Sequence, residues 1–468
     1  MKEVEEPDDV ETGARVVLVR SVMQERRFLE LRRLLVKWTA PHVAELVCDL
    51  DADEQAVVFR VLPRDLAADT FEYLPLQDQE GLLQALGDQR VAAILDEMSP
   101  DDRTALLEEL PGLATRRLLN LLSPEEREVA RQLLGYPEES IGRLMTPDYV
   151  AIREEWDVAQ VLAHIRKFGR DRETLNVLYV VDAEGHLIDD IRMREFLLVD
   201  PETKVSELMD NHFIALRAMD DQETAVGYFR KYDRVALPVT DSAGLLIGIV
   251  TIDDVLDVAE QEATEDIHKL GGTEALDEPY LTISLPMMLR KRAPWLVILL
   301  IAQMLTTAVM GYFEEEIASA IFLALFIPLI ISSGGNSGSQ AASLVTRALA
   351  LGEVRLRDWW RIVRREFITG VGLGLILGIV GFVRVALWGI QFDLYEGHWF
   401  LVATTIGVAV FGVVLWGSLT GSALPLLLKR LGADPAASSA PFVATIVDVT
   451  GIAIYFTVAA LVLRGTLL

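Results

Sequence analysis

Hydrophobic positions change their rhythm along this chain. From Pro294 onward they run together. Five apolar segments, roughly 294–312, 318–346, 365–389, 399–428 and 439–463, are each long enough for the ~20 residues that cross a hydrocarbon core. Before Pro294 the apolar residues are spaced by polar ones. Leu50-Asp51-Ala52-Asp53, Leu74-Pro75-Leu76-Gln77, Met98-Ser99-Pro100-Asp101 and Leu122-Ser123-Pro124-Glu125 recur every 24 residues. Ser99 and Ser123 each precede a proline and an acid, which predicts helix N-caps. Each repeat reads as two short helices, and stacked pairs predict a small superhelical α domain.

A second repeat follows. Residues 149–168 recur at 213–232, and residues 180–189 recur at 239–248. Each copy predicts a helix, an apolar strand, an acidic turn, a second strand and a helix start. The pair resembles tandem CBS domains, a β-α-β-β-α module that senses a small ligand. That resemblance implies a Ser/Thr-x-x-Asp near a nucleotide ribose. The second copy has it as Thr251-Ile252-Asp253-Asp254, whereas the first has Arg192-Met193-Arg194-Glu195.

Charge separates the same two regions. Of 43 basic and 70 acidic residues, 13 and 10 lie in residues 281–468, leaving 30 and 60 before them. An acidic block of this size disfavours nucleic acid and anionic membrane surfaces and attracts cations. Cys48 is the only cysteine, so no disulfide forms within the chain. The acidic N-terminus lacks the apolar region of a signal peptide, which places the first part in the cytosol. Arg290-Lys291-Arg292, the arginines at 355, 357, 361, 364 and 365, and Lys429-Arg430 flank alternate ends of the spans. Glu314-Glu315-Glu316, Asp393 and Glu396 flank the others. The positive-inside rule then puts the N-terminus in the cytosol and the C-terminus outside.

Two stretches interrupt the apolar pattern. Pro328–Leu349 reads PLIISSGGNSGSQAASLVTRAL. Its glycines permit a break or a close helix approach, and its hydroxyls and amides suit either packing contacts or a wall of a water-filled path. Asp448 sits well inside the last apolar segment with no basic neighbour in sequence. A lone carboxylate there costs ~3 kcal/mol or more, so it should face water or a partner. With no His or Cys cluster in the spans, the available ligands are oxygens, which suit a hard divalent ion such as Mg²⁺, Mn²⁺ or Ca²⁺. One carboxylate per chain suggests two near a two-fold axis.

GGNSGSQAASLVTRALA, DPAASSAPFVATIVDVTGIAIYF and EATEDIHKLGG together resemble the MgtE family of bacterial Mg²⁺ channels. The resemblance implies a multi-domain protein of the cytoplasmic membrane. Its parts would be a helical N domain (1–137), a CBS pair (138–260), a connecting helix (261–285) and an all-α pore domain of five transmembrane helices (286–468). It implies a homodimer in the lipid bilayer with its pore on the dimer axis. The pore would be lined by Asp448 with Gly335, Asn336, Gly338, Gln340 and Thr445, and Asp434 would stand at the cytosolic mouth. Mg²⁺ would be both cargo and regulator, closing the pore from sites at Asp69, Asp101, the Gly142 carbonyl, Asp221, Glu223, Asp233, Asp254, Asp257, Glu262, Glu265 and Asp266. ATP binding is left open. Ala105 stands where relatives can carry an acid, and Ala440 where some carry Asn. An H⁺- or Na⁺-coupled carrier, or a channel that also passes Mn²⁺ or Co²⁺, is the alternative. The spans hold no HExxH or GxSxG, which argues against an enzyme.

Overall fold

The computed structural model describes residues 9–170, 172–276, 280–281, 283–392, 395, 397–464 and 466. Asp393, Glu396 and the first eight residues lie outside them. The chain divides into two compact units, Met1–Ala259 and Glu260–Leu468.

The first unit opens with short helices, and its 24-residue period has a physical cause. Gln55 donates to Val47 O at 3.0 Å, Gln79 to Phe71 O at 2.8 Å and Arg103 to Leu95 O at 2.9 Å. Each is a buried polar side chain reaching eight residues back to a carbonyl at the end of the preceding helix. Such carbonyls have no partner within their own helix, and burying them unpaired is costly. The repeat therefore carries its own C-terminal cap. Ser99 and Ser123 are N-caps, as their sequence context predicts, and Asp51 forms a capping box with Glu54. Leu46, Phe59, Phe71, Leu82 and Ile94 fill one continuous core along the stack.

The same unit contains two three-stranded sheets of identical order. β1 (Ala151–Ile152) pairs parallel with β2 (Val177–Val181), which pairs antiparallel with β3 (Leu187–Arg192). β4 (Leu216–Arg217), β5 (Ala236–Thr240) and β6 (Leu246–Thr251) repeat the arrangement. A helix crosses over inside each parallel pair: Val158–Phe168 in the first sheet and Gln222–Tyr232 in the second. The two hairpin turns touch, through Leu187 N to Gly244 O at 3.2 Å and Leu246 N to Gly185 O at 3.1 Å.

A helix spanning Ile252–Leu270 starts directly after β6. It begins earlier and ends earlier than the expected 261–285; the next helix starts at Leu285. Gly271 and Gly272 follow it, and Gly272 takes a φ of +75°, the left-handed geometry that ends a helix.

Among the described residues, five helices are long and apolar enough to cross a membrane. They are Leu285–Tyr312, Ile327–Ala350, Trp359–Phe392, Trp399–Arg430 and Ala440–Leu463, called span helices one to five. The stretch Pro328–Leu349 is an unbroken helix. Its glycines serve close approach: a Cβ added at Gly421 would sit 2.0 Å from Gly338 O, and one at Gly417 2.4 Å from Gly334 O. Span helices two and four thus meet backbone to backbone, as small residues allow. Ser337 and Ser418 share a 2.7 Å hydrogen bond across that contact. Tyr455, buried on span helix five, donates to Leu323 O at 2.9 Å just before span helix two.

Candidate ion path and acidic sites

In the second unit, Asp448 is half-buried on span helix five. The Gln303 amide of span helix one hydrogen-bonds its carboxylate. On its other side lies Gly335 of span helix two, where an added Cβ would stand 3.6 Å from Asp448 Oδ1. Three helices therefore surround one carboxylate. Gln303 was not singled out by its sequence; an amide within an otherwise apolar span was the available signal.

Span helix two has two faces. Gly334, Gly335, Ser337, Gly338, Ala341 and Ala342 are buried. Ser332, Asn336 and Gln340, each one turn apart, are exposed, and Asn336 donates to Ser332 at 3.4 Å. Exposed amides on a membrane helix require water or another protein surface. Gly338 and Thr445 lie on the packed side. Thr445 is buried and its hydroxyl donates to Pro441 O at 2.9 Å. Ser339 donates to Ala440 O at 3.0 Å, so position 440 contributes its carbonyl despite lacking a polar side chain.

Asp434 precedes a short 3-10 turn, Pro435–Ala437, and leads into span helix five. Its Oδ1 accepts from Ala436 N at 2.8 Å and its Oδ2 meets Lys269 Nζ at 2.7 Å. Glu265 meets the same Lys269 at 2.5 Å. Glu262 and Asp266 lie on the same helix, half-buried.

In the first unit, acids distant in sequence converge. Asp101 is buried, and Asp254 accepts from the Thr251 hydroxyl at 2.7 Å. Burial pushes both carboxyls up, and the repulsive field of neighbouring acids adds to it: Asp102 acts on Asp101, and Asp101 acts on Asp254. Burial and then Asp102 push Glu72 up to about 8. Asp102 and Glu173 are raised by burial, with Asp253 adding repulsion to each. Burial also raises Asp148, although Arg172 pairs with it at 2.5 Å. Sequence reasoning named Asp101 and Asp254 here. It missed Glu72, Asp102, Asp148, Glu173 and Asp253. All the donors are oxygens, the type a hard divalent cation prefers, but among the described residues no three of these acids bring ligand atoms within 4.8 Å of one another.

The remaining predicted residues do not join this cluster as a set. Asp69 and Asp257 are exposed. Gly142 is buried and its N–H donates to Ala218 O at 2.8 Å. Asp221 caps the N-terminus of helix Gln222–Tyr232 by accepting from Glu223 N at 2.8 Å, while Asp233 closes the other end with φ +49°. At 1.5 Å per residue these ends lie roughly 16 Å apart, so Asp221 and Glu223 cannot share an ion with Asp233 in one chain. A turn that sequence reasoning read only as acidic holds Asp182, Glu184 and His186, whose ligand atoms lie within 4.8 Å of one another. There Asp182 already accepts from both the main chain and the ring of His186.

Comparison with known proteins follows the same division. Residues 39–139 match the MgtE intracellular N domain, residues 141–202 and 205–260 match CBS domains, and residues 327–458 match MgtE, described as a divalent cation transporter. The magnesium transporter MgtE of Thermus thermophilus is 38% identical over 453 residues, covering 96% of this chain and 98% of that protein. That of Bacillus subtilis is 28% identical, covering 94% and 98%. A crystal structure of the cytosolic domain of the Mg²⁺ channel MgtE in complex with ATP is 36% identical, with a TM-score of 0.50; it covers 52% of this chain and 99% of that one. The CBS-pair and N-domain folds, the five long apolar helices and the identity along nearly the whole length agree: this chain is a multi-pass membrane protein and belongs to the MgtE family of transporters.

Proposed function

We propose that this protein is a Mg²⁺-selective channel that imports Mg²⁺ across the bacterial cytoplasmic membrane and closes when cytosolic Mg²⁺ is abundant. The observation that carries the reading is Asp448, a carboxylate within a span helix, held by the Gln303 amide and faced by the bare backbone of Gly335. A carboxylate supported by an amide attracts a hydrated divalent ion without stripping its waters, which Mg²⁺ releases reluctantly. The exposed polar row Ser332, Asn336 and Gln340 supports a homodimer with two such rows facing a shared aqueous path. In this arrangement the N-terminus is cytosolic and the C-terminus outside.

The acids of the first unit supply the gate. Ionised together they repel, and Mg²⁺ bound among Asp101, Asp254 and their neighbours relieves the repulsion and favours the closed arrangement. Helix Ile252–Leu270 carries Asp254 and Asp257 near its start and Glu262, Glu265 and Asp266 further along, so candidate acids of both units lie on one helix. A ligand shifts such an equilibrium only through its different affinity for the two states. ATP, bound in the crystal structure of a relative's cytosolic domain, would compete here, because the Thr251 hydroxyl already donates to Asp254.

The test is Mg²⁺ uptake by cells lacking other Mg²⁺ importers. Asp448→Ala and Asp448→Asn should each lower uptake at least tenfold at equal membrane abundance. Uptake that survives both changes would sink the reading. Uptake that depends on a proton or sodium gradient would favour a coupled carrier instead.

A further inference from the structure

The last turn of helix Ile252–Leu270 carries a cation of its own. Lys269 Nζ lies 2.5 Å from Glu265 Oε1, one turn back, and 2.7 Å from Asp434 Oδ2 before span helix five. Burial alone would lower the Lys269 pKa. Hydrogen bonds to Asp434 and Glu265 outweigh it and hold the ammonium above its ordinary range. Both carboxylate oxygens of Asp434 are engaged, since Oδ1 accepts from Ala436 N.

Packing fixes this lysine in place. At Gly272, three residues on, an added Cβ would stand 2.7 Å from Trp295 Nε1 and 3.3 Å from Pro441 Cγ. The Trp295 ring itself lies 6.1 Å from that of Phe442, centroid to centroid. Lys291 donates to Ala275 O at 2.5 Å. The chain leaving the helix is thus seated against span helices one and five, with Lys269 aimed at Asp434.

We infer that Lys269 is a tethered counter-ion that occupies Asp434 when divalent cation is scarce, and that Mg²⁺ must displace it to bind that carboxylate. The inference rests on reading Asp434 as a Mg²⁺ site at the mouth of the path. One ammonium and one hydrated Mg²⁺ cannot both take Oδ2. The lysine therefore weakens Mg²⁺ binding at the mouth and raises the concentration at which the site fills. A partly exposed ion pair is worth up to about 1 kcal/mol, so its removal should strengthen Mg²⁺ binding by about threefold to fivefold.

The experiment uses the full chain in detergent, with thermal unfolding followed in EDTA and across a MgCl₂ titration. The variants are Lys269→Met, Lys269→Arg, Asp434→Asn and the Lys269→Met/Asp434→Asn double variant. In EDTA the two single neutral variants should lower the transition, and the double should lower it no further than Lys269→Met alone, which already loses the pairs to both Asp434 and Glu265. In MgCl₂ the midpoint of the stabilising shift should fall by about threefold to fivefold in Lys269→Met and stay near wild type in Lys269→Arg. On the Asp434→Asn background, Lys269→Met should leave the midpoint unmoved. Additive effects in EDTA, or a Lys269→Met midpoint equal to or above wild type, would overturn the counter-ion while leaving the gating reading intact. A wild type with no Mg²⁺-dependent shift would overturn both.

Discussion

The contact between span helices two and four and the acidic cluster of the first unit handle buried polarity in opposite ways. Span helices two and four bury bare backbone and paired hydroxyls, and their partners are satisfied on the spot: Ser337 with Ser418, Gly338 against Gly421. The first unit buries carboxylates against one another, and nothing among the described residues neutralises Asp101 with Asp254. A contact complete in itself is a rigid element. A contact incomplete until a cation arrives is a responsive one. The difference locates where this molecule can be set by its surroundings and where it holds still.

Breaking the rigid side should have the largest effect. Gly421→Val would push a side chain into Gly338 O, where overpacking costs about 3 kcal/mol or more. Thermal unfolding of the purified protein should show a large loss. Gly372→Val, at a position with no atom within 4 Å, should show little, and equal losses would contradict the packing account. On the first unit, Gln55→Leu removes one of the two donors to the Val47 carbonyl, which keeps Leu50 N, and the bond to Asp78, and should cost about 0.5–1.5 kcal/mol by the same measurement.

The responsive side should give the opposite sign. At alkaline pH, where both carboxyls are ionised, Asp101→Asn or Asp254→Asn removes a repelling charge, so in EDTA each should stabilise the first unit by about 1 kcal/mol while shrinking the gain from added Mg²⁺. Destabilisation in EDTA would mean these acids are already compensated. The gentlest probe is pH. Glu72, pushed up to about 8, is more readily protonated in the folded than in the unfolded chain. Its contribution is intact below the ordinary glutamate pKa and is lost as pH rises through about 8. Unfolding in EDTA should therefore show stability declining from about pH 5 to pH 8, with Mg²⁺ restoring it at the upper end. A flat profile would remove Glu72 from the cluster.

Much of this could be seen before any coordinates. The 24-residue repeat was visible in the stretches that begin at Leu50, Leu74, Met98 and Leu122, whereas the common task of Gln55, Gln79 and Arg103 emerged only from the packed helices. The five spans were visible because lipid demands apolar length. Asp448 stood out because a charge is costly there. The connecting helix, expected over 261–285, starts nine residues earlier and ends fifteen residues earlier. Its start follows from β6, and its stop depends on Gly272 fitting against Trp295 and Pro441, a contact no local pattern announces. Glu72, Asp148 and Glu173 look like ordinary solvated acids in sequence, and only their packing sets them apart.

Helices, spans and repeats follow from residue order, because periodic burial and the apolar length of a segment are properties of neighbours along the chain. Which carboxylates share a pocket, and which cation stands beside Asp434, came only with the packed molecule. Repulsion and attraction between charges depend on distance and on excluded water, and both are set by segments that meet from far apart in sequence.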